Sequence, residues 1–489
     1  MRNSVLMAVI LAGCVRAPGY QPPDVRVAPT YGAVASASAT RDGESLLAER
    51  ASRDGAQPTP SARFTTDIAA TPFWRELGDT TLSQLIEAAL RANSDVRVAE
   101  ARLGGARASR RLATLDLLPT VTAAGSALRQ RQSVALTPGL SSQLPQQDVW
   151  DVGFDASWEV DLYGRLGRAV GARSALVASA EHALEDVQVS LAAEVARTYV
   201  ELRGAQRQLE VARRNAENQR RTVALTEDRL AAGRGTAFDT ERAKAVLALT
   251  LATTPTIEAQ IAADRERLGV LLGRGSEALP PALADAAPPP RLPDTVRVGS
   301  PAQLVRRRPD VMSAERQLAG QSLLVGSARA EYLPRLTIGA SAGYTATSFD
   351  ALARTGTSRV LVGPVLSWPL LDIGRVRERV GVAEAREDEA RAEYRAIVLR
   401  AVAETESALV AYDRAHARLA ILTEAVRAST AAAALAQERF EAGLTDFLQV
   451  LDAQRTLLDA ENQLAEGYTA AATALIAVYK ATGGTWPIR

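Results

Sequence analysis

Two phrases in this chain are near copies: SWEVDLYGRLGRAV from Ser157 and SWPLLDIGRVRERV from Ser367. Each runs a strand-like aromatic segment into Gly-Arg and then into a long, polar, alanine-rich tract. Trp368 less Trp158 gives an offset of 210, which also pairs Gly164 with Gly374, Glu194 with Glu404, Gly233 with Gly443 and Gly273 with Gly483. Upstream the offset is 215, matching NSDVRVAEARL from Asn93 to RPDVMSAERQL from Arg308 and Leu118-Pro119 to Leu333-Pro334. A duplicated unit of fixed internal length requires each copy to span the same distance. Each copy reads as a helix, a strand, a loop, a strand, a very long helix, a tight break and another long helix. This divides the chain into a leader over 1–13, a tether over 14–75, a first repeat over 76–275, a proline-rich connector over 276–300 and a second repeat over 301–489.

The strands constrain the fold most. From Trp150 to Leu162 apolar residues (Trp150, Val152, Phe154, Ala156, Trp158, Val160) alternate with polar ones (Asp151, Asp155, Ser157, Glu159). Leu336 to Tyr344 repeats the alternation, and its partners are expected at about Thr120–Gln130 and Arg359–Leu370. About ten residues, apolar outward and polar inward, is the pattern of a tilted outer-membrane strand. Four strands cannot close around a wet interior, and an open edge in lipid leaves backbone groups unpaired. Several chains must therefore share one barrel, and three of them supply about twelve strands.

The helices extend the argument. Val195, Leu202, Leu209, Ala216, Val223 and Leu230 recur every seven residues, with Val177, Leu184 and Leu191 on a second track. Such a repeat imposes coiled-coil packing. Arg168 to Ala231 contains no proline, so one helix of about 60 residues would reach about 90 Å. It is too polar for lipid and must project into water, which beside an outer-membrane barrel is the periplasm. Gly233 and Gly443 are expected to cap the long helices and turn the chain back, and Pro255 is expected to perturb the returning helix.

Composition removes other classes. The net charge is +1, and no basic run exceeds Arg306-Arg307-Arg308, which excludes a nucleic-acid footprint. Only two histidines occur, His182 and His416, both inside helical tracts and without metal-ligand or nucleophile spacing. No nucleotide-binding P-loop is present. The expectation is therefore no catalytic residue, no metal site and no cofactor. The single cysteine, Cys14, closes a short apolar leader with positive Arg2 ahead of it, which is signal-peptide grammar. Leu11-Ala12-Gly13-Cys14 also resembles a bacterial lipoprotein box. That resemblance implies a covalent lipid on Cys14, and Val15 after it implies the outer membrane.

WRELGDTTLSQLIEAAL, RRRPDV, AEYLP and the tract LTDFLQVLDAQR, together with the lipoprotein box, resemble the TolC-type outer-membrane efflux channels, in particular the lipoprotein branch serving RND pumps. The resemblance implies a mainly α protein with membrane β structure: a homotrimer with a twelve-stranded barrel, a coiled α-helical barrel across the periplasm and an equatorial collar from the connector. It implies a periplasmic adaptor and an inner-membrane RND-type pump as partners, and no catalytic activity. It places the periplasmic gate at Asp452, Leu448 and Asp239, with Gln449 where some members carry a further aspartate. Gly233 and Gly443 then mark the turns at the adaptor-docking tip. Phe440 and Thr445 lack the hydroxyl and the charge with which some members hold this end shut. A periplasmic coiled-coil structural or adaptor lipoprotein without a pore is the competing reading, and the duplicated amphipathic strand pairs weigh against it.

Overall fold

The computed structural model describes residues 23, 28–32, 62–67, 71–131 and 145–484. The leader and Cys14 lie outside the described residues. Nine α-helices and six strands occur among those described: β1 (Arg63–Thr65), α1 (Phe73–Glu76), α2 (Thr80–Ala92), α3 (Ser94–Leu115), β2 (Thr120–Gln130), β3 (Gln147–Val160), α4 (Arg165–Ala231), α5 (Ala237–Leu271), β4 (Thr295–Arg297), α6 (Pro301–Arg307), α7 (Pro309–Arg329), β5 (Arg335–Ala346), β6 (Ser358–Ser367), α8 (Ile373–Glu441) and α9 (Phe447–Ala481). The duplication is visible element by element. Adding 210 to the bounds of α5 gives 447–481, the bounds of α9, and adding 215 to those of β2 gives 335–345, within one residue of β5.

The chain divides into two compact units. The first, whose described residues include 102–131, 145–181 and 313–395, holds the main sheet. Its strands run antiparallel in the order β2-β3-β5-β6, so two hairpins are joined through β3 and β5, and β2 and β6 are left as free edges. Gly153 and Gly343 face one another across that central pair, where a Cβ on Gly343 would lie 2.4 Å from the Val152 carbonyl oxygen. Side chains at this rung would push β3 and β5 apart. The two hairpins therefore meet through bare backbone.

The second unit, whose described residues include 62–67, 71–101, 182–312 and 396–484, contains a core drawn from both copies. Leu82, Leu85 and Ile86 of α2, Tyr199 and Leu202 of α4, Leu268 of α5, Leu409 and Tyr412 of α8 and Leu475 and Tyr479 of α9 are all buried in it. The α2 N-cap Asp79 accepts the Leu82 amide at 2.9 Å and the Tyr199 hydroxyl at 2.6 Å, and burial with that carboxylate beside it pushes the Tyr199 phenol up to about 12. The connector contains two short 3-10 turns, Ser276–Ala278 and Pro281–Leu283, and strand β4, as its prolines require. Arg203, fully buried, clamps it by donating to the carbonyls of Ala282 (2.9 Å) and Asp285 (2.8 Å). Gln206 adds a bond to the Leu283 carbonyl at 2.8 Å.

One expectation is corrected. The tether over 14–75 is not a free linker throughout, because β1 pairs in parallel with β4 and Ala62, Phe64, Phe73 and Trp74 are buried in the core. Aromatic side chains hidden in a tract of small residues dock it. Pro255 lies inside α5, which is continuous from Ala237 to Leu271.

A carboxylate on α5 supplies a pH test. Asp264 is 4% exposed, accepts from the Gln260 amide at 2.9 Å, and is pushed above the usual carboxylate range by burial and by the charge of Glu201. A raised folded-state pKa stabilises below the ordinary carboxylate value, and that contribution is lost as pH rises through the raised value. Asp264→Asn should therefore raise the thermal midpoint at pH 7, with the gain vanishing as pH falls below about 4. Differential scanning calorimetry across that range checks it.

Candidate functional site

The residue register sorts the sheet into two faces. Val121, Val152, Phe154, Trp158, Ile338, Ala340, Val360, Val362 and Leu366 share one, and Phe154 and Val360 are 62% and 77% exposed there. Thr122, Asp151, Asp155, Ser341, Thr345 and Arg359 share the other. On that polar face Arg359 forks onto Asp151 (2.8 and 2.6 Å) and reaches Ser341 (3.0 Å), while the Thr345 hydroxyl donates to Asp151 at 2.6 Å. Asp151 and Arg359 are thereby tied across three strands, which orders this face. A continuous apolar face of this size on an open sheet marks a surface that lipid or protein must cover.

Both hairpins are fastened in the same way to the segment just ahead of their first strand. Trp158 Nε1 donates to the Leu117 carbonyl at 2.9 Å, and Trp368 Nε1 to the Tyr332 carbonyl at 3.1 Å. Adding 215 to 117 gives 332, so the duplication has kept the bond as well as the residue. An indole with its ring on apolar surface and its N–H on a carbonyl suits a membrane–water boundary.

The two helix turns are also copies. Gly233 (φ 68) and Gly443 (φ 73) adopt the left-handed conformation. In each the glycine amide bonds three residues back and the next amide five residues back: Gly233 to Leu230 and Arg234 to Arg229, Gly443 to Phe440 and Leu444 to Arg439. These are glycine C-caps that satisfy the last carbonyls of α4 and α8. Each returning helix then starts on a side-chain cap, Thr236 accepting the Asp239 amide at 3.2 Å and Asp446 accepting the Gln449 amide at 3.2 Å.

The first turn of α9 has two characters. Phe447, Val450 and Leu451 are buried, whereas Leu448, Gln449 and Asp452 are exposed on a common strip. Leu448 and Asp452 lie one helical turn apart, so they present an apolar ring position next to an acidic one. Asp239 sits in the other hairpin, where its carboxylate accepts the Thr236 hydroxyl at 2.6 Å and completes that cap. The Thr445 hydroxyl meets the Gln449 side chain. Phe440 is 3% exposed and packs on Phe447. The structure thus gathers Leu448, Gln449 and Asp452 on one face and gives Asp239 a local role in its own turn.

The profile of the family described as outer membrane efflux protein matches residues 85–274 and 301–484, one segment for each copy. The chain belongs to this family. Among outer membrane efflux proteins, outer membrane protein OprJ of Pseudomonas aeruginosa is 30% identical over 488 residues, 99% of this chain and 95% of that protein. The toluene efflux pump outer membrane protein TtgI of Pseudomonas putida is 30% identical over 84% of this chain and 86% of its own length. The structure of the outer-membrane channel OprN is 35% identical with a TM-score of 0.83, covering 96% of this chain and 99% of that one. The open-state MtrE channel of Neisseria gonorrhoeae, 24% identical with a TM-score of 0.78 over 96% and 98%, has the same fold. The efflux-protein fold supplies the environment for each face: outer membrane for the apolar face of the sheet, and periplasm for the helices.

Sequence reasoning missed Arg229, whose guanidinium carbon lies 3.9 Å from the centre of the Phe440 ring. It also missed the polar stretch of α4 above that contact, where Asn215, Gln219, Thr222 and Thr226 are buried. The heptad track masked both. Leu209 and Val223 on it are half-buried and Leu230 is 39% exposed, while the polar residues between them face inward.

At the caps a side chain on the glycine carries a backbone penalty of about 1–2 kcal/mol. Gly233→Ala and Gly443→Ala should each speed amide exchange in the last turn of the helix they cap by about tenfold, with the sheet unaffected. Hydrogen exchange read by mass spectrometry on peptides ending at 232 and 442 tests this.

Proposed function

We propose that this outer-membrane efflux channel works as a homotrimer, passively conducting small molecules that an inner-membrane RND-type pump delivers through a periplasmic adaptor. The observation that carries the trimer is the open four-stranded sheet with both edges free and one face apolar. Edge pairing of β2 from one copy with β6 of the next, repeated three times, gives about twelve strands and no exposed edge. A second feature supports it. Leu399, Val410 and Ile421 of α8 are exposed at intervals of eleven residues, close to a whole number of turns, and so form a straight apolar stripe for a neighbouring copy to cover.

Relatives are named for solvent, toluene and antibiotic efflux pumps, and a pyoverdine export protein of Pseudomonas aeruginosa is 32% identical over 85% of this chain. Cargoes that differ this much among relatives of one chain support a reading in which the pump chooses the cargo. The channel needs only a wet lumen. On this reading it performs no catalytic step and needs no cofactor, and the turns at Gly233 and Gly443 are where the adaptor docks. Cys14 carries a covalent lipid that adds a second attachment to the membrane beside the barrel.

The gate is assigned to the exposed strip of α9. Threefold symmetry would set three Asp452 carboxylates around one axis, attracting cations, with three Leu448 side chains closing the same aperture by contact and dewetting. Gln449 adds hydrogen-bonding surface without charge, and Asp239 holds the neighbouring turn. Leu448→Ala together with Asp452→Ala should raise single-channel conductance in planar bilayers several-fold and weaken cation preference, while unchanged conductance would remove both residues from the gate. Native mass spectrometry from detergent should give three chains. A Cys14→Ser protein should stop incorporating labelled palmitate and still insert and conduct.

A further inference from the structure

Within the unit that holds the sheet, α7 packs against both α4 and α8. Its glycines lie flush on α4: a Cβ on Gly320 would sit 3.4 Å from the Ala172 carbonyl oxygen, and one on Gly326 would sit 2.8 Å from Arg168 Cδ. In return a Cβ on Gly171 of α4 would meet the Leu323 side chain at 3.3 Å, and Ala172 is fully buried. The Ser327 hydroxyl donates to the Arg165 carbonyl at 2.9 Å in the same contact. On its other side α7 is held to α8 by Arg329 and Glu384 at 2.6 Å.

The duplication repeats only half of this arrangement. α3, the counterpart of α7, is held to α4 by Arg107 and Glu181 at 2.8 Å, as α7 is held to α8. The contact that α7 makes with α4 has no equivalent in the single chain. Subtracting 215 from the numbers of Gly320 and Leu323 gives Gly105 and Ala108 of α3, and adding 210 to those of Gly171 and Ala172 gives Gly381 and Val382 of α8. Both glycines are retained, yet a Cβ on Gly105 or on Gly381 would meet nothing within 4 Å. Val382 is 52% exposed where Ala172 is fully buried. Glycine weakens a helix interior relative to alanine, so its natural use there is the close approach of another backbone. Two helix faces are thus shaped for a contact that one copy cannot make.

Chain continuity identifies what covers them. α7 leads into β5, α4 follows β3, and β3 pairs with β5. α3 leads into β2 and α8 follows β6, the two strands with free edges. Pairing β6 of one copy with β2 of the next therefore sets α8 against α3 as α4 is set against α7. One position differs in chemistry. Where the internal contact has Gly326 against Arg168, the offsets place Arg111 against Glu378, and the long side chain has changed sides. Arg111 and Glu378 are both exposed, and neither has an ion-pair partner among the described residues.

We infer that successive copies are joined through α3 and α8 by an ionic contact, Arg111 of one copy to Glu378 of the next, seated by close approach at Gly105 and Gly381. The same helix contact is thus glycine-tight within a chain and salt-sensitive between chains. The inference rests on the trimer reading above. A charged joint keeps both surfaces wet in the free chain and disfavours any neighbour that lacks the matching charge.

The test uses the full-length protein in detergent. Native mass spectrometry counts the chains, and mixing isotopically labelled with unlabelled protein follows subunit exchange. Arg111→Glu and Glu378→Arg should each speed exchange about tenfold at low salt, because three like-charge joints act together in one trimer. In about 1 M salt the difference should shrink. Combining Arg111→Glu with Glu378→Arg restores opposite charges and should return exchange to within about twofold of the native rate, a rescue that separate structural roles for the two side chains would not give. Ala108→Cys with Gly381→Cys should cross-link one chain to the next under mild oxidation, and neither single cysteine variant should do so. A three-chain mass with native exchange in both charge variants, or with no rescue in the combined variant, would overturn the joint and leave the trimer standing. Failure of the cysteine pair to link separate chains of a three-chain assembly would overturn it equally. A mass of one chain for the native protein would overturn the trimer and the joint together.

Discussion

Hydrocarbon offers no partner to a peptide group, and each unpaired amide or carbonyl held there costs several kcal/mol. The free edges of β2 and β6 therefore cannot persist in a membrane. Closure by sister chains satisfies both edges at once, and it also gives the polar face a use. In the proposed trimer the Asp151–Arg359 fork and its hydroxyl partners would line a water-filled passage, with Phe154 and Val360 on the opposite, lipid-facing side. On the proposed threefold closure, every exposed side chain near the axis would be presented in triplicate. A single unremarkable turn such as that holding Leu448 and Asp452 acquires meaning only under that multiplication.

Duplication gave the chain two chemically similar hairpins that have since specialised. The first copy took on the connector: Arg203 and Gln206 of α4 fasten residues 282–285, and the offset partners of those two residues, Asp413 and His416, make no such clamp, with Asp413 instead accepting the Ala62 amide at 3.1 Å. The second copy took on the aromatic cluster, with Phe440 and Phe447 at positions where the first copy has Leu230 and Ala237. What stayed constant is structural: the glycine caps, the indole bonds to the segment just ahead of each hairpin, and the equal lengths of α5 and α9.

Much of this was legible from the residues. Alternation located β3 and β5, the paired glycines located both turns, and the offset made each half a check on the other. Patterns of this kind report backbone geometry, which duplicates faithfully. What escaped were contacts that depend on which face of a long helix meets which neighbour. Arg229 over Phe440 joins elements more than two hundred residues apart, and a single α4 heptad track gives no warning that Gln219 and Thr222 point inward. The aromatic residues that dock the tether's end were hidden for a related reason. Phe64, Phe73 and Trp74 sit in a tract whose average composition is that of a linker.

The matched shafts carry a lesson for how such a molecule changes its reach. Because α5 and α9 have identical lengths and both end in the same kind of cap, removing one heptad from a single hairpin would leave its bend about 10 Å short of its counterpart. The cation and ring that join them would no longer meet. A lineage adapting to a wider or narrower envelope must therefore edit all four shafts in concert, by whole heptads, and intermediate lengths are closed to it.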